Sequence, residues 1–270
     1  MTTSVPRPPA PLSHDRFCDE ITAQTDLLRA HLTDADLTAT VPTCPDWTVR
    51  ELAEHVGRAH RWAEAVVRTR ATEALPDDQV PDRAPADDGP AALDAWLGDG
   101  ARRLADTLRA AGPDAACWSW GWRRDAGFWA RRMTHETVIH RADAALALKT
   151  GYDVVPEIAA DAIDEWLRIV RFVQDVDARD AVQQLRAGGR TLHLHATDTA
   201  PELAAEWLIE LRDEGVVWRR DHAKADAALR GPLTAVLLAF YRREPVDGGR
   251  VEALGDRELL DHWLTRASFA

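Results

Sequence analysis

Thr134-His135-Glu136-Thr137-Val138-Ile139-His140 lies inside a strongly helical run from about Gly127 to Lys149 and sets a carboxylate and an imidazole four residues apart. Four residues turn a helix through about 400°, which leaves Glu136 and His140 within roughly 40° of each other on one face. Such a pair supplies two of the three protein ligands of a catalytic zinc site, in which a coordination position stays open for water or substrate. The third ligand must come from another helix. Arg50-Glu51-Leu52-Ala53-Glu54-His55-Val56-Gly57 offers His55 on an amphipathic helix whose apolar positions include Val49, Leu52, Ala53, Val56 and Ala59. Spacing alone also describes an ordinary surface pair that steadies a helix by a few tenths of a kcal/mol. His135 does not make a zinc-protease motif, because that motif has two histidines four apart around its glutamate, whereas His135 and His140 are five apart and about 140° separated. The same arithmetic turns His60 away from His55 and makes it a polar-face or pocket residue.

Three more helices surround this run. Ser13 caps one from about Asp15 to Leu32, with Phe17, Ile21, Leu27 and Leu28 apolar. Asp34 to Pro45 reads as a loop. Asp46 is the expected cap of a second helix reaching about Arg70, with Trp47 as a packing anchor at its start. Glu73 to Pro90, rich in Pro, Asp and Ala, reads as a loop or mobile flap. A third helix spans about Ala91 to Ala111. Four helices with one long interruption describe a bundle, an architecture that builds metal sites from inward-facing side chains of different helices.

The second half has another texture. Pro156 to about Val173 reads as a helix joining the halves, followed by strands at Arg190–Thr197, Val216–Arg219 and Ala227–Gly231, a helix at Pro232–Arg242, a strand at Arg250–Leu254 and a helix at Arg257–Leu264. This is an α+β module, so the expected organisation is a bundle over residues 1–153 and a smaller α+β domain over 154–270. His193 and His195 share one face of the first strand, a geometry that can bind metal, although a solvated strand face is the preferred reading.

Composition narrows the function classes. The 270 residues hold 33 Lys and Arg against 45 Asp and Glu, a net charge of −12, which disfavours nucleic acid and anionic membrane surfaces as partners. No apolar run is long enough to span a bilayer, and the start with Pro6, Pro8, Pro9 and Pro11 lacks the apolar core of a signal peptide, so a cytoplasmic protein is expected. Cys18, Cys44 and Cys117 are too few and too scattered for a disulfide framework or a cysteine zinc site, and are read as reduced thiols. Only a helix start is available to activate Cys44, which is therefore not taken as a nucleophile. Trp118, Trp120 and Trp122, beside Gly121 and Arg123-Arg124, read either as a pocket wall or lid or as packing between domains.

Two stretches carry a resemblance. Pro42-Thr43-Cys44-Pro45-Asp46-Trp47-Thr48-Val49-Arg50-Glu51-Leu52-Ala53-Glu54-His55, and Gly127 to Glu136 continuing through His140-Arg141-Ala142-Asp143, closely resemble the mycothiol-dependent maleylpyruvate isomerase family of actinobacteria. The resemblance implies a DinB-like four-helix bundle followed by an α+β domain related to sterol-carrier proteins, with Arg230-Gly231-Pro232 in the second domain. It implies a metal triad of His55, Glu136 and His140, a divalent metal with zinc favoured, and mycothiol as co-substrate. The implied activity is cis–trans isomerisation of maleylpyruvate, or S-transfer of the thiol to another electrophile. In physical terms, the metal's charge favours the thiolate, which adds to an activated double bond, allows rotation and leaves, or stays attached. The family's catalytic arginine comes from the second domain. Arg230, Arg242 and Arg257 are the choices here, with Arg242 as the nominal one. The loop from Ala115 to Asp125 departs from the family and borders the site, where loops set specificity. Two other readings stand beside this one: a metal-dependent hydrolase or lyase using bound water, and a non-catalytic module that binds a small ligand.

Overall fold

A computed structural model of the chain describes residues 11–268, which leaves Pro6, Pro8 and Pro9 of the Pro-rich start outside the described residues. The chain divides into two compact units, Leu12–Tyr152 and the part from Asp153 onward. The first is a bundle of four helices and the second a sheet with helices, as the α+β expectation requires.

In the first unit, α1 (His14–Leu32), α2 (Val49–Thr69), α3 (Pro90–Ala111) and α4 (Ala126–Leu148) pack so that α1 and α2 each lie against both α3 and α4. Local chemistry sets their starts. Ser13 accepts from the Arg16 amide at the head of α1, Asp125 accepts from Phe128 at the head of α4, and Pro90 opens α3 where its missing N–H has no helical partner to lose. The cap of α2 is Thr48 and not Asp46: Thr48 accepts from the Glu51 amide and the Glu51 carboxylate accepts from Thr48 N–H in return, a reciprocal capping box. Leu28, Leu52, Val56 and Leu97 are fully buried in one core cluster, while Ile21, Val66, Leu104 and Leu108 are fully buried in another. Leu27 stays half exposed.

The segment expected as a loop before α2 contains a hairpin instead. β1 (Thr40–Val41) pairs antiparallel with β2 (Cys44–Thr48), in the register Thr40↔Thr48 and Val41↔Cys44. Two prolines hid these strands, yet a two-stranded edge tolerates missing amide donors, and fully buried Val41 anchors the hairpin in the core. The 73–90 segment is held down along its length. Trp96 Nε1 donates to the Asp82 carbonyl (2.7 Å), Arg103 pairs with the Asp82 carboxylate (2.8 Å), Arg50 donates to the Asp88 carbonyl (3.0 Å), and Val80 is buried. A mobile flap is not what these residues build.

The second unit comprises α5 (Pro156–Val176), β3 (Arg190–Ala196), β4 (Glu206–Arg212), β5 (Gly215–Arg220), β6 (Ala227–Gly231), α6 (Leu233–Phe240), β7 (Glu252–Gly255) and α7 (Arg257–Arg266). The sheet runs in the order β5-β4-β3-β6-β7, antiparallel except for the β3–β6 pair. Leu192, Leu194, Trp207, Ile209 and Leu229 share the buried face through their register. Strand β4 is not among the strands the sequence pattern predicts. Among the described residues, no helix is long and apolar enough to cross a membrane.

One packing detail is directly testable. A Cβ on Gly57 of α2 would overlap the indole of Trp96 on α3. Replacing a mid-helix glycine by alanine ordinarily stabilises by about 1 kcal/mol, but overpacking costs about 1–3 kcal/mol. Gly57→Ala is therefore expected to lower the urea midpoint of unfolding, the opposite sign to a solvent-facing helical glycine.

Candidate metal centre

Helices α2 and α4 lie side by side, and His55, Glu136 and His140 meet between them. His55 Nε2 is 3.0 Å and His140 Nε2 3.2 Å from the same oxygen, Glu136 Oε1, and the rings of His55 and His140 stand nearly perpendicular with centroids 4.9 Å apart. One donor atom from each residue falls within 4.8 Å of the other two, a spacing a single divalent ion can bridge. All three residues expected from the sequence are thus brought together.

The side chains behind them are less visible in the sequence. Asp143, fully buried one helical turn after His140, accepts a hydrogen bond from His140 Nδ1 at 3.0 Å, and Thr43 from the β1–β2 turn donates to its other oxygen at 2.6 Å. With Nδ1 held as a donor to Asp143, Nε2 is the nitrogen that faces Glu136 and the one left with a lone pair once the ring is neutral, the tautomer a metal ligand needs. Buried Arg132 donates to Glu136 Oε2 at 3.2 Å, leaving Oε1 as the oxygen the imidazoles share. Trp47 packs its indole on His55 at 4.9 Å between centroids, so the expected packing anchor is also a wall of the site. The signals were present as helical offsets: Arg132 precedes Glu136 by four residues and Asp143 follows His140 by three, while nothing local marked Thr43.

The charges here are strongly biased. Burial opposes charge on His140, but Glu136 and Asp143 outweigh it and push its pKa up to about 9. Burial likewise opposes ionisation of Glu136, yet His140, His55 and Arg132 hold its carboxyl well below the usual range. Without a metal, the triad is a carboxylate clasped by a protonated imidazole. Metal binding at neutral pH must therefore displace a proton from His140.

The remaining expected residues sort as follows. His60 is not a polar-face or pocket residue but is fully buried, donating from Nε2 to Thr137, whose hydroxyl proton goes to the Met133 carbonyl; burial lowers its pKa to about 4. His135 is buried edge-on to Phe17. Cys18 and Cys117 are buried free thiols with pKa values raised by burial to about 11, and Cys44 is also unpaired with any other cysteine. Trp118 packs with Trp62 and Trp129, and Trp120 and Trp122 both meet Phe128, so these rings serve packing inside the first unit. In the second unit Arg230 pairs with Glu252, and Arg257 with Asp247 and Asp261. Arg242 is exposed after α6 with φ 60° and forms no ion pair with any described residue. His193 and His195 do not lie on a solvated strand face: His193 is buried, and both approach Glu206 and His222.

Comparison with known proteins agrees with this layout. Residues 18–145 match the mycothiol maleylpyruvate isomerase N-terminal domain, and residues 157–262 match the MDMPI C-terminal domain. The fold is similar to a crystal structure of the mycothiol-dependent maleylpyruvate isomerase, at 16% identity and a TM-score of 0.56, and to that of a histidine-to-alanine mutant, at 14% and 0.55. Each similarity covers 90% of this chain and 93% of the other. No individual curated protein matches the chain.

In the metal-free protein the two displaced histidines pull stability in opposite directions on either side of about pH 6.5. His140 binds its proton more tightly in the folded state, so its contribution is fully present below about pH 6.5 and is lost as the pH rises through about 9. His60 is held neutral, so its penalty is absent above about pH 6.5 and grows as the pH falls toward about 4. Denaturation midpoints of chelator-treated protein across this range should trace a bell, and His140→Gln should flatten its alkaline limb alone.

Proposed function

The chain belongs to the mycothiol maleylpyruvate isomerase family, and from that premise we propose that it is a metal-dependent isomerase that uses mycothiol to convert an activated cis olefin of the maleylpyruvate type to its trans isomer. The observation that carries the reading is the convergence of His55, Glu136 and His140 with Asp143 behind them. Two imidazole nitrogens and one carboxylate oxygen suit zinc and leave coordination incomplete. A divalent ion there supplies a positive charge that lowers the pKa of a bound thiol at neutral pH.

The chain's own residues account for the rest. Asp143 holds the proton on His140 Nδ1 and fixes the ring, making it a positioning residue. Arg132 keeps Glu136 Oε2 occupied and its carboxylate ionised. Trp47 shields one face of His55 from water, which strengthens electrostatic interactions around it. Addition of a thiolate to the olefin puts negative charge on the acceptor, which a cation stabilises. Arg242 is our assignment for that role, supported by its forming no ion pair with any described residue, where Arg230 and Arg257 each pair with a carboxylate.

The test is turnover of maleylpyruvate by the zinc-loaded full chain with and without mycothiol, followed by proton NMR of the olefin. Isomerisation that needs both metal and thiol, and is lost in His55→Ala, Glu136→Ala and His140→Ala while circular dichroism is kept, is the expected result. A product that retains the thiol replaces isomerisation with S-transfer, and turnover without thiol overturns the reading in favour of water-based chemistry. Asp143→Asn is expected to weaken metal binding about 10–100-fold, with turnover restored at saturating zinc. Arg242→Ala should lower kcat without changing metal content.

A further inference from the structure

The second unit contains a crossing that its topology makes unavoidable. β5 and β6 run parallel and are separated by β4 and β3, so residues 221–226 must carry the chain over one face of the sheet. Three strand spacings are about 14 Å, and six residues reach at most about 20 Å, so the strap crosses by a short path with no room for a further element of structure. Both of its ends are tied down. The Asp221 amide donates to the Glu206 carbonyl at 3.1 Å, while Asp226 receives the Thr191 amide at 2.7 Å and the Thr191 hydroxyl at 2.9 Å.

Beneath this strap lies a cluster that the first unit's chemistry does not use. The β3–β4 register sets His195 directly opposite Glu206, with His193 two residues back on the same face. The strap then brings His222 down onto them. His193 Nε2, His195 Nδ1 and His222 Nδ1 lie 3.0, 2.9 and 2.6 Å from a single atom, Glu206 Oε2. The three imidazole centroids form a near-equilateral triangle with sides of 5.6, 5.5 and 5.5 Å.

Hydrogen bonding alone does not satisfy this arrangement. A carboxylate oxygen has two lone pairs, and here three ring nitrogens aim at one oxygen. The failure is visible at His193: the residue is only 6% exposed, and its Nε2, although close to Glu206, has no hydrogen-bond partner. A buried, unpartnered imidazole nitrogen pointing into a set of ligand atoms costs free energy unless something accepts its lone pair. Three imidazoles around a tetrahedral ion at about 2.0–2.1 Å have centroids about 5 Å apart, close to the triangle observed. Arg230, the β6 residue opposite His195, pairs with Glu252 and leaves Glu206 to the histidines.

We propose that His193, His195, Glu206 and His222 form a second metal centre, a four-ligand site for a divalent first-row ion of the zinc class that fastens the 221–226 strap to the sheet. Four protein ligands fill a tetrahedral shell, so the role is structural. The imidazole-rich set selects zinc over magnesium or calcium, which prefer all-oxygen ligands.

The test uses tag-free full-length protein carrying His55→Ala and His140→Ala, so that the first centre cannot contribute. It is stripped with chelator, reloaded with zinc alone, desalted and analysed for metal. About one zinc per chain is expected, with an increase in Tm on zinc addition that follows ligand linkage. Adding His222→Ala should abolish both, and because the His222 side chain is 74% exposed, circular dichroism should find the metal-free fold unchanged. His195→Gln is the second variant with the same expected loss. A cobalt-loaded sample should show the strong visible absorption of a tetrahedral site. Protein that retains no zinc without the triad overturns the proposal, as does zinc that survives both His222→Ala and His195→Gln. Because the triad is absent, these outcomes are independent of the isomerase reading.

Discussion

A carboxylate largely withdrawn from water must be surrounded by donors and positive charge, and Glu136 imposes that requirement on the bundle. It sits on α4, a helix buried on nearly all sides, where apolar residues alone would have made the simplest core. Its two oxygens are met instead by His55 and His140 on one side and Arg132 on the other. His140 in turn needs Asp143, and Asp143 needs Thr43, so one partly buried charge reaches from α4 into α2 and the β1–β2 turn. Breaking any member leaves another charge or donor unsatisfied in a region of low polarity. The α2–α4 register is held at a second point by His60 and Thr137, a neutral pair that adds specificity without further charge.

Much of this was legible because it is written locally. Helix α4 follows from its helical run, and a four-residue spacing puts Glu136 and His140 on one face of it, while α1, α3 and α5 follow from apolar periodicity. His55 required a second helix to be placed beside the first, which the two quoted motifs and their resemblance supplied. The cap of α2 was misread because Asp46 and Thr48 are both good caps, and only the reciprocal bond to Glu51 distinguishes them.

Non-local structure was harder to read. Strand β4, Glu206-Trp207-Leu208-Ile209-Glu210-Leu211-Arg212, is built largely from good helix formers, and Leu208 spoils the alternation. Its identity is settled by pairing with β3 and β5 on both sides, a tertiary effect. With β4 unread, Glu206 had no register opposite His195, and His222 lay too far along the chain to attract notice. Sequence alone therefore puts the histidines of β3 on a water-facing strand surface, the ordinary fate of an alternating outer face. The strap covers that face and reverses the conclusion.

The two clusters differ in a way that ligand counting makes functional. Between α2 and α4 the structure assembles three donors, and the most exposed of them, His55, stands at the solvent side. Such an incomplete set leaves room for a substrate atom. On the sheet, four donors converge, three of them from paired strands or their ends and the fourth from a short strap tied at both ends. A complete set leaves no coordination position and acts by linking segments far apart in the chain. The difference follows from backbone geometry: neighbouring helices present side chains into a groove open at one edge, whereas a strand face crossed by a connection receives a further donor from above.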